Sequence, residues 1–252
     1  MKSRRISLSK ETLARMPADE RNFFLLAGHI QNEINSLSKV FAWCLTAEPS
    51  RKLAEVEGLA NGLQAQFYAR LLAGKLCEAR KVLDKAYFAK SIHLSVDPKL
   101  HPDAKASLKK IKSYFNHSNS IINAVRNTFS FHYDVDAFAS HWCEALDQSD
   151  FELVLGGTVG NNLSLGSELV LNNAVLKSIN SDSGSSALQK LLNDVQSLAA
   201  EFTIFLEGVM IVIVESATGS SLSGQGSQEE IWPSHLFGDV KIPYFYDHGL
   251  RE

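Results

Sequence analysis

Between residues 20 and 46 the apolar side chains Phe23, Leu26, Ile30, Ile34, Leu37, Phe41 and Cys44 recur at steps of three and four. That spacing is one stripe of an α-helix, whose turn takes about 3.6 residues. Pro49-Ser50 closes the segment, and a second run extends from about 51 to 91. Val56, Leu59, Leu63, Phe67 and Leu71 form one stripe on it, and Leu72, Leu76, Ala79 and Leu83 form another on a rotated face. A helix with two apolar faces requires two neighbours, which puts it at the centre of its assembly. Two long helices joined by a short loop pack as an antiparallel hairpin. The predicted fold is therefore mainly α, a helical bundle built on that hairpin, with a small β-hairpin insertion and a further C-terminal helix.

The later elements follow from local signals. Pro102 suits the first position of a third, short helix carrying Ala104, Leu108, Ile111 and Phe115 inward. Its other face bears Lys105, Lys109, Lys110 and Lys112. Residues 116–119 offer capping side chains, and a fourth helix starts with Ile121, Ile122 and Val125. A fifth spans 136–146. After Asp147, Phe151 to Leu155, then Gly156-Gly157, then Val159, Leu163 and Leu165 read as a small β-hairpin. Helices over 169–179 and 187–216 follow. The Ser- and Gly-rich stretch 217–230 reads as a flexible linker. The segment 231–246, with Trp232, Phe237, Tyr244, Phe245 and Tyr246, is either a strap docked on the body or a partner-binding tail. The implied divisions are a polar lead-in over 1–18, a helical bundle over 19–147, a hairpin-plus-helix extension over 148–216, and a linker with an aromatic tail over 217–252.

Charge divides the chain unevenly. Residues 1–143 hold 21 Lys and Arg against 13 Asp and Glu, a net of +8, whereas 144–252 hold 4 against 15, a net of −11. The first part is suited to meeting polyanions, or the two parts attract each other. The three cysteines, Cys44, Cys77 and Cys143, have no disulfide-like spacing and read as reduced cytoplasmic thiols. No apolar stretch follows the basic start, so no signal peptide is expected. The run Phe202–Val214 is too short to span a bilayer and contains Glu207, so it reads as a buried helix and no membrane contact is expected.

The chemically suggestive stretch is Arg126-Asn127-Thr128-Phe129-Ser130-Phe131-His132-Tyr133-Asp134. Regular helical geometry sets Arg126 and His132 roughly 120° apart, while His132 continues the apolar face of Val125. Read structurally, His132 is a core histidine and Arg126 pairs with a carboxylate such as Glu33. His29 and Glu33, four residues apart on the first helix, are a simple helix pair or the polar support that orients Arg126 or His132. His132, Asp134, Asp136, His141 and Cys143 match no zinc spacing, so neither metal nor other cofactor is expected.

The Arg126-Asn127-x-x-x-x-His132 element, following a long helical hairpin, resembles the Arg-x(4–6)-His motif of the HEPN superfamily. The resemblance covers about residues 20–146. It implies a helical bundle that forms a homodimer, brings two motifs into one cleft and cleaves RNA without a metal, often in toxin–antitoxin or other microbial defence systems. Under it, His132 moves a proton to or from the ribose 2′-hydroxyl or the leaving oxygen, and Arg126 stabilises the phosphoryl charge. Asn127, Glu33 and Tyr133 support them, and Lys105, Lys109, Lys110 and Lys112 hold the RNA backbone. Tyr133 follows the histidine directly, whereas toxin-type members often carry Tyr one place later. The alternative is a non-catalytic bundle of the same kind that binds RNA, a nucleotide, or an antitoxin or other protein partner.

Overall fold

The computed structural model describes residues 2–45, 55–116, 120–126, 151–178, 184–230 and 235–246. The described chain is mainly helical, with two small antiparallel strand pairs. The helices are α1 (Lys10–Arg15), α2 (Ala18–Leu45), α3 (Glu55–Val82), α4 (Ile92–Val96), α5 (Pro102–Asn116), α6 (Ile121–Val125), α7 (Leu165–Ser178) and α8 (Gly184–Thr218). The strands are β1 (Lys2–Arg5), β2 (Leu153–Val154), β3 (Leu163–Ser164) and β4 (Ser227–Glu230). The chain divides into two compact units, one of residues 1–36, 75–118 and 197–236 and the other of 37–74, 119–196 and 237–252.

In the first unit Phe23, Ile30 and Ile34 of the predicted α2 stripe are buried, whereas Leu26 of the same stripe is exposed. Leu76 and Leu83, Ile111 of α5, and Phe202, Phe205, Leu206 and Val209 of α8 are buried in the same unit. Each such side chain contributes about 1.5–3 kcal/mol relative to an exposed one. α3 continues into a π-helical turn, Leu83–Phe88. Turns of this kind locally rotate the residues they carry. This one brings Tyr87 to full burial, its ring 5.0 Å from Phe23 and 5.5 Å from Phe205. Ser91, with φ of +59°, then turns the chain into α4. α5 lies close to α8 because position 208 is glycine; a Cβ there would stand 2.6 Å from that of Ala104.

The linker reading of 217–230 is corrected. Leu222–Gly224 is a 3-10 turn, and Ser227–Glu230 is β4, paired with β1 in the register Lys2 to Glu230 and Arg5 to Ser227. The lead-in is thus a structural element. A basic strand, Lys-Ser-Arg-Arg, lies against Ser-Gln-Glu-Glu, and Arg5 meets Glu229 diagonally across the pair at 3.4 Å. Arg4 adds hydrogen bonds to the Leu222 and Ser223 carbonyls at 3.2 and 2.7 Å. Gly226 enters β4 with φ of +87°, where a Cβ would strike the Arg5 carbonyl.

In the second unit the second apolar stripe of α3 is the buried one. Leu72 is enclosed together with Ala60, Ala65, Ala69 and Ala73, whereas Leu59 and Phe67 of the first stripe are 49 % and 47 % exposed. Buried Arg70 donates to Asn172 at 3.0 Å and to Glu168 at 3.2 Å, tying α3 to α7. β2 pairs antiparallel with β3, but the connection is not a tight Gly-Gly turn. It contains the 3-10 turn Val159–Asn161, and the Asn162 side chain accepts the Gly156 N–H at 3.1 Å. Leu165 begins α7 rather than extending a strand.

α8 is longer than the apolar run at its heart. Its residues Ser186–Thr218 are long and apolar enough to cross a membrane by length and composition, and half of the most apolar window is buried.

Candidate functional site

α5 buries Ala104, Ser107, Leu108 and Ile111, at steps of three, one and three. The residues between them are left to carry charge. Lys105, Lys109 and Lys112 stand at steps of four and three and so share one stripe. Lys110 is rotated roughly 140° from Lys105. The structure separates these lysines in chemistry as well. Lys110 donates to Glu201 of α8 at 2.6 Å. Burial raises the Glu201 carboxyl, but hydrogen bonds from Lys110 and Ser107 and the charge of Lys110 outweigh it and hold the group below its usual range.

The other three lysines rim a cavity of about 660 Å³ between α4 and α5. Leu94, Pro98 and Leu108 supply its apolar wall, with His93 and Asp97 beside them. Among the described residues none of the three lysines is paired with a carboxylate. Lys105 donates to the Pro98 carbonyl at 3.1 Å, and Lys112 lies over the Phe88 ring at 4.2 Å from its centroid. Lys109 is exposed, with no acceptor among the described residues. Asp97 accepts the Tyr87 hydroxyl at 2.6 Å, and burial together with this bond pushes the Tyr87 phenol far above its ordinary value. The imidazole of His93 packs on Phe88 and Tyr87, at 5.5 and 6.3 Å between centroids. Its Nδ1 is buried with no hydrogen bond among the described residues.

Glu33 has partners of its own. Lys75 donates to it at 2.6 Å, and the His29 ring lies 3.7 Å from the same carboxylate oxygen. Arg126 ends α6 with helical angles, φ −61° and ψ −44°, and is half-buried. α6 is short and starts at Ser120, whose hydroxyl accepts the Asn123 N–H at 3.4 Å. Asn127, His132 and Tyr133 lie outside the described residues, as do the fifth helix over 136–146 and the Asp134, Asp136, His141 and Cys143 group. Among the described residues no three His, Cys, Asp or Glu side chains gather closely enough to hold a metal ion.

Of the two readings of the aromatic tail, the structure shows the docked strap for its described part. Asn161, buried, accepts the Tyr246 N–H at 3.0 Å and donates to its carbonyl at 2.6 Å. Asn61 accepts the Tyr244 N–H at 3.2 Å, and the Tyr244 hydroxyl donates to the Asn162 carbonyl at 2.8 Å. Phe237 stacks near Trp43 at 5.7 Å.

Sequence reading missed His93, Leu94 and Asp97 as neighbours of the lysines, and Glu201 as the partner of Lys110. The i, i+4, i+7 spacing of Lys105, Lys109 and Lys112 was the available signal that Lys110 does not belong with them. No family model, no curated protein and no solved structure matches the chain.

Proposed function

We propose that the protein is a HEPN-like cytoplasmic RNA-binding bundle that cleaves RNA without a metal, with Arg126 and His132 as its catalytic pair. The observation that carries the reading is the order of parts along the chain. A helix with three lysines that have no carboxylate partner among the described residues is followed in sequence by α6, which ends in Arg126, and then by Asn127 and His132. The lysines supply the sequence-independent attraction for a phosphate backbone. Arg126 offers a permanently charged planar donor for the phosphoryl oxygens, and His132 supplies an imidazole, the side-chain type most used for acid–base catalysis. A homodimer that joins two motifs overcomes the angular offset between the two side chains. A microbial defence or toxin–antitoxin setting, with a protein antitoxin, fits the same reading.

The test is cleavage of structured and unstructured RNA in EDTA. Wild type cuts, and His132→Ala and Arg126→Ala each slow cutting by about 10²-fold or more. Identical products from wild type and both variants would end the nuclease reading. The second reading, a non-catalytic module, is favoured by the lysine stripe, which needs neither catalytic residue. It predicts RNA retention with no cleavage by any form.

A further inference from the structure

Three cations around one opening repel each other, since like charges one helical turn apart destabilise. Within the same unit some lysines are matched, Lys75 by Glu33 and Lys110 by Glu201. Lys105, Lys109 and Lys112 are not, among the described residues. Asp97, in the cavity wall, already accepts from Tyr87. Three lysines against one carboxylate give the wall, His93 aside, a formal charge of +2. Behind the charges the surface is hydrocarbon: Leu94, Pro98, Leu108 and the lysine stems. Leu94 is 68 % exposed at this opening. The volume, about 660 Å³, falls within the range of small-molecule sites.

The geometry points to a binding site for an amphipathic anion, an aliphatic body with a phosphate-type dianionic head. The body lies on the wall beside buried Leu108 and removes the exposed Leu94 and Pro98 from water. The head sits among the three ammonium groups, where its charge of about −2 cancels that of the wall. Lysines, as compact point charges on flexible stems, suit a tetrahedral head without imposing a planar fork. Such a head belongs to a free alkyl phosphate or to an acidic lipid. The site goes beyond the cleavage reading, because it uses neither Arg126 nor His132.

Titration calorimetry of the full chain tests it, with decyl phosphate below its micelle concentration, decanol and inorganic phosphate as probes. Decyl phosphate is expected to saturate one site, with decanol and inorganic phosphate each at least about tenfold weaker, because each lacks half of the recognised chemistry. Lys109→Gln, an exposed position, weakens decyl phosphate about tenfold, the scale of one charge-assisted contact. Lys110→Gln, on the same helix but paired with Glu201, leaves it unchanged. Decanol or inorganic phosphate binding as tightly as decyl phosphate would overturn the proposal, as would equal losses in the two variants. Sedimentation with phosphatidylcholine vesicles containing phosphatidic acid, abolished by Lys109→Gln, assigns the head to a lipid; decyl phosphate binding without sedimentation assigns a free amphiphile. Cleavage of RNA in EDTA is scored separately with Arg126→Ala and His132→Ala, so either proposal can fall alone.

Discussion

α5 carries four lysines within eight residues, and its two sides use them differently. On one side Lys110 meets Glu201 and ties α5 to α8. On the other, Lys105, Lys109 and Lys112 surround a cavity with no carboxylate partner among the described residues. A count of charges treats the four alike. Their pairing separates a cation tied to a carboxylate from three crowded cations that have none among the described residues.

The largest effect is expected from removing the aromatic support behind Asp97 on the cationic side. Tyr87 is fully buried, stacks against Phe23 and Phe205 and anchors Asp97. Tyr87→Ala is expected to cost about 3–5 kcal/mol in urea unfolding, the range for truncating a buried aromatic. Tyr87→Phe keeps the ring, removes one hydrogen bond to a charged group and costs about 1.5–3 kcal/mol. Equal losses in the two variants would mean that the hydroxyl, not the packing, holds the site.

A smaller effect sharpens the other side. Glu201→Gln leaves Lys110 without its carboxylate. A carboxyl held below its ordinary 4.5 adds stability that is present above that pH and lost as pH falls through the folded value. Wild type should therefore exceed Glu201→Gln at pH 7, by about 1 kcal/mol or less because Lys110 is largely exposed. The gap should close on acidification below about 4.5, as followed by thermal unfolding from pH 7 to 3. A gap independent of pH would remove the ion pair from the account.

Much of the helical frame was legible. Phe23, Ile30, Ile34 and Phe41 of the predicted stripe are buried on α2, though Leu26 is not, and Pro102 marks the start of α5. What escaped depends on partners distant in sequence. Nothing local to Ser227–Glu230 resembles a strand; its pairing comes from β1, more than 200 residues earlier, and the only trace was the match of a basic segment to an acidic one. The alternation of Val159, Leu163 and Leu165 suggested a strand, yet it spans a 3-10 turn, a two-residue strand and a helix start. At the site, the lysines were visible, but their sorting required Glu201, 91 residues from Lys110, and a π-helical turn that no residue spacing announces.

If one side of α5 receives phosphate and the other does not, the salt dependence of single-stranded RNA binding, read by fluorescence anisotropy, should separate wild type and Lys110→Gln from Lys109→Gln. The account predicts that Lys109→Gln weakens binding and lowers the slope of log affinity against log salt by about 1, while Lys110→Gln leaves both unchanged. The same slope for all three proteins, or an equal drop in both variants, would contradict it.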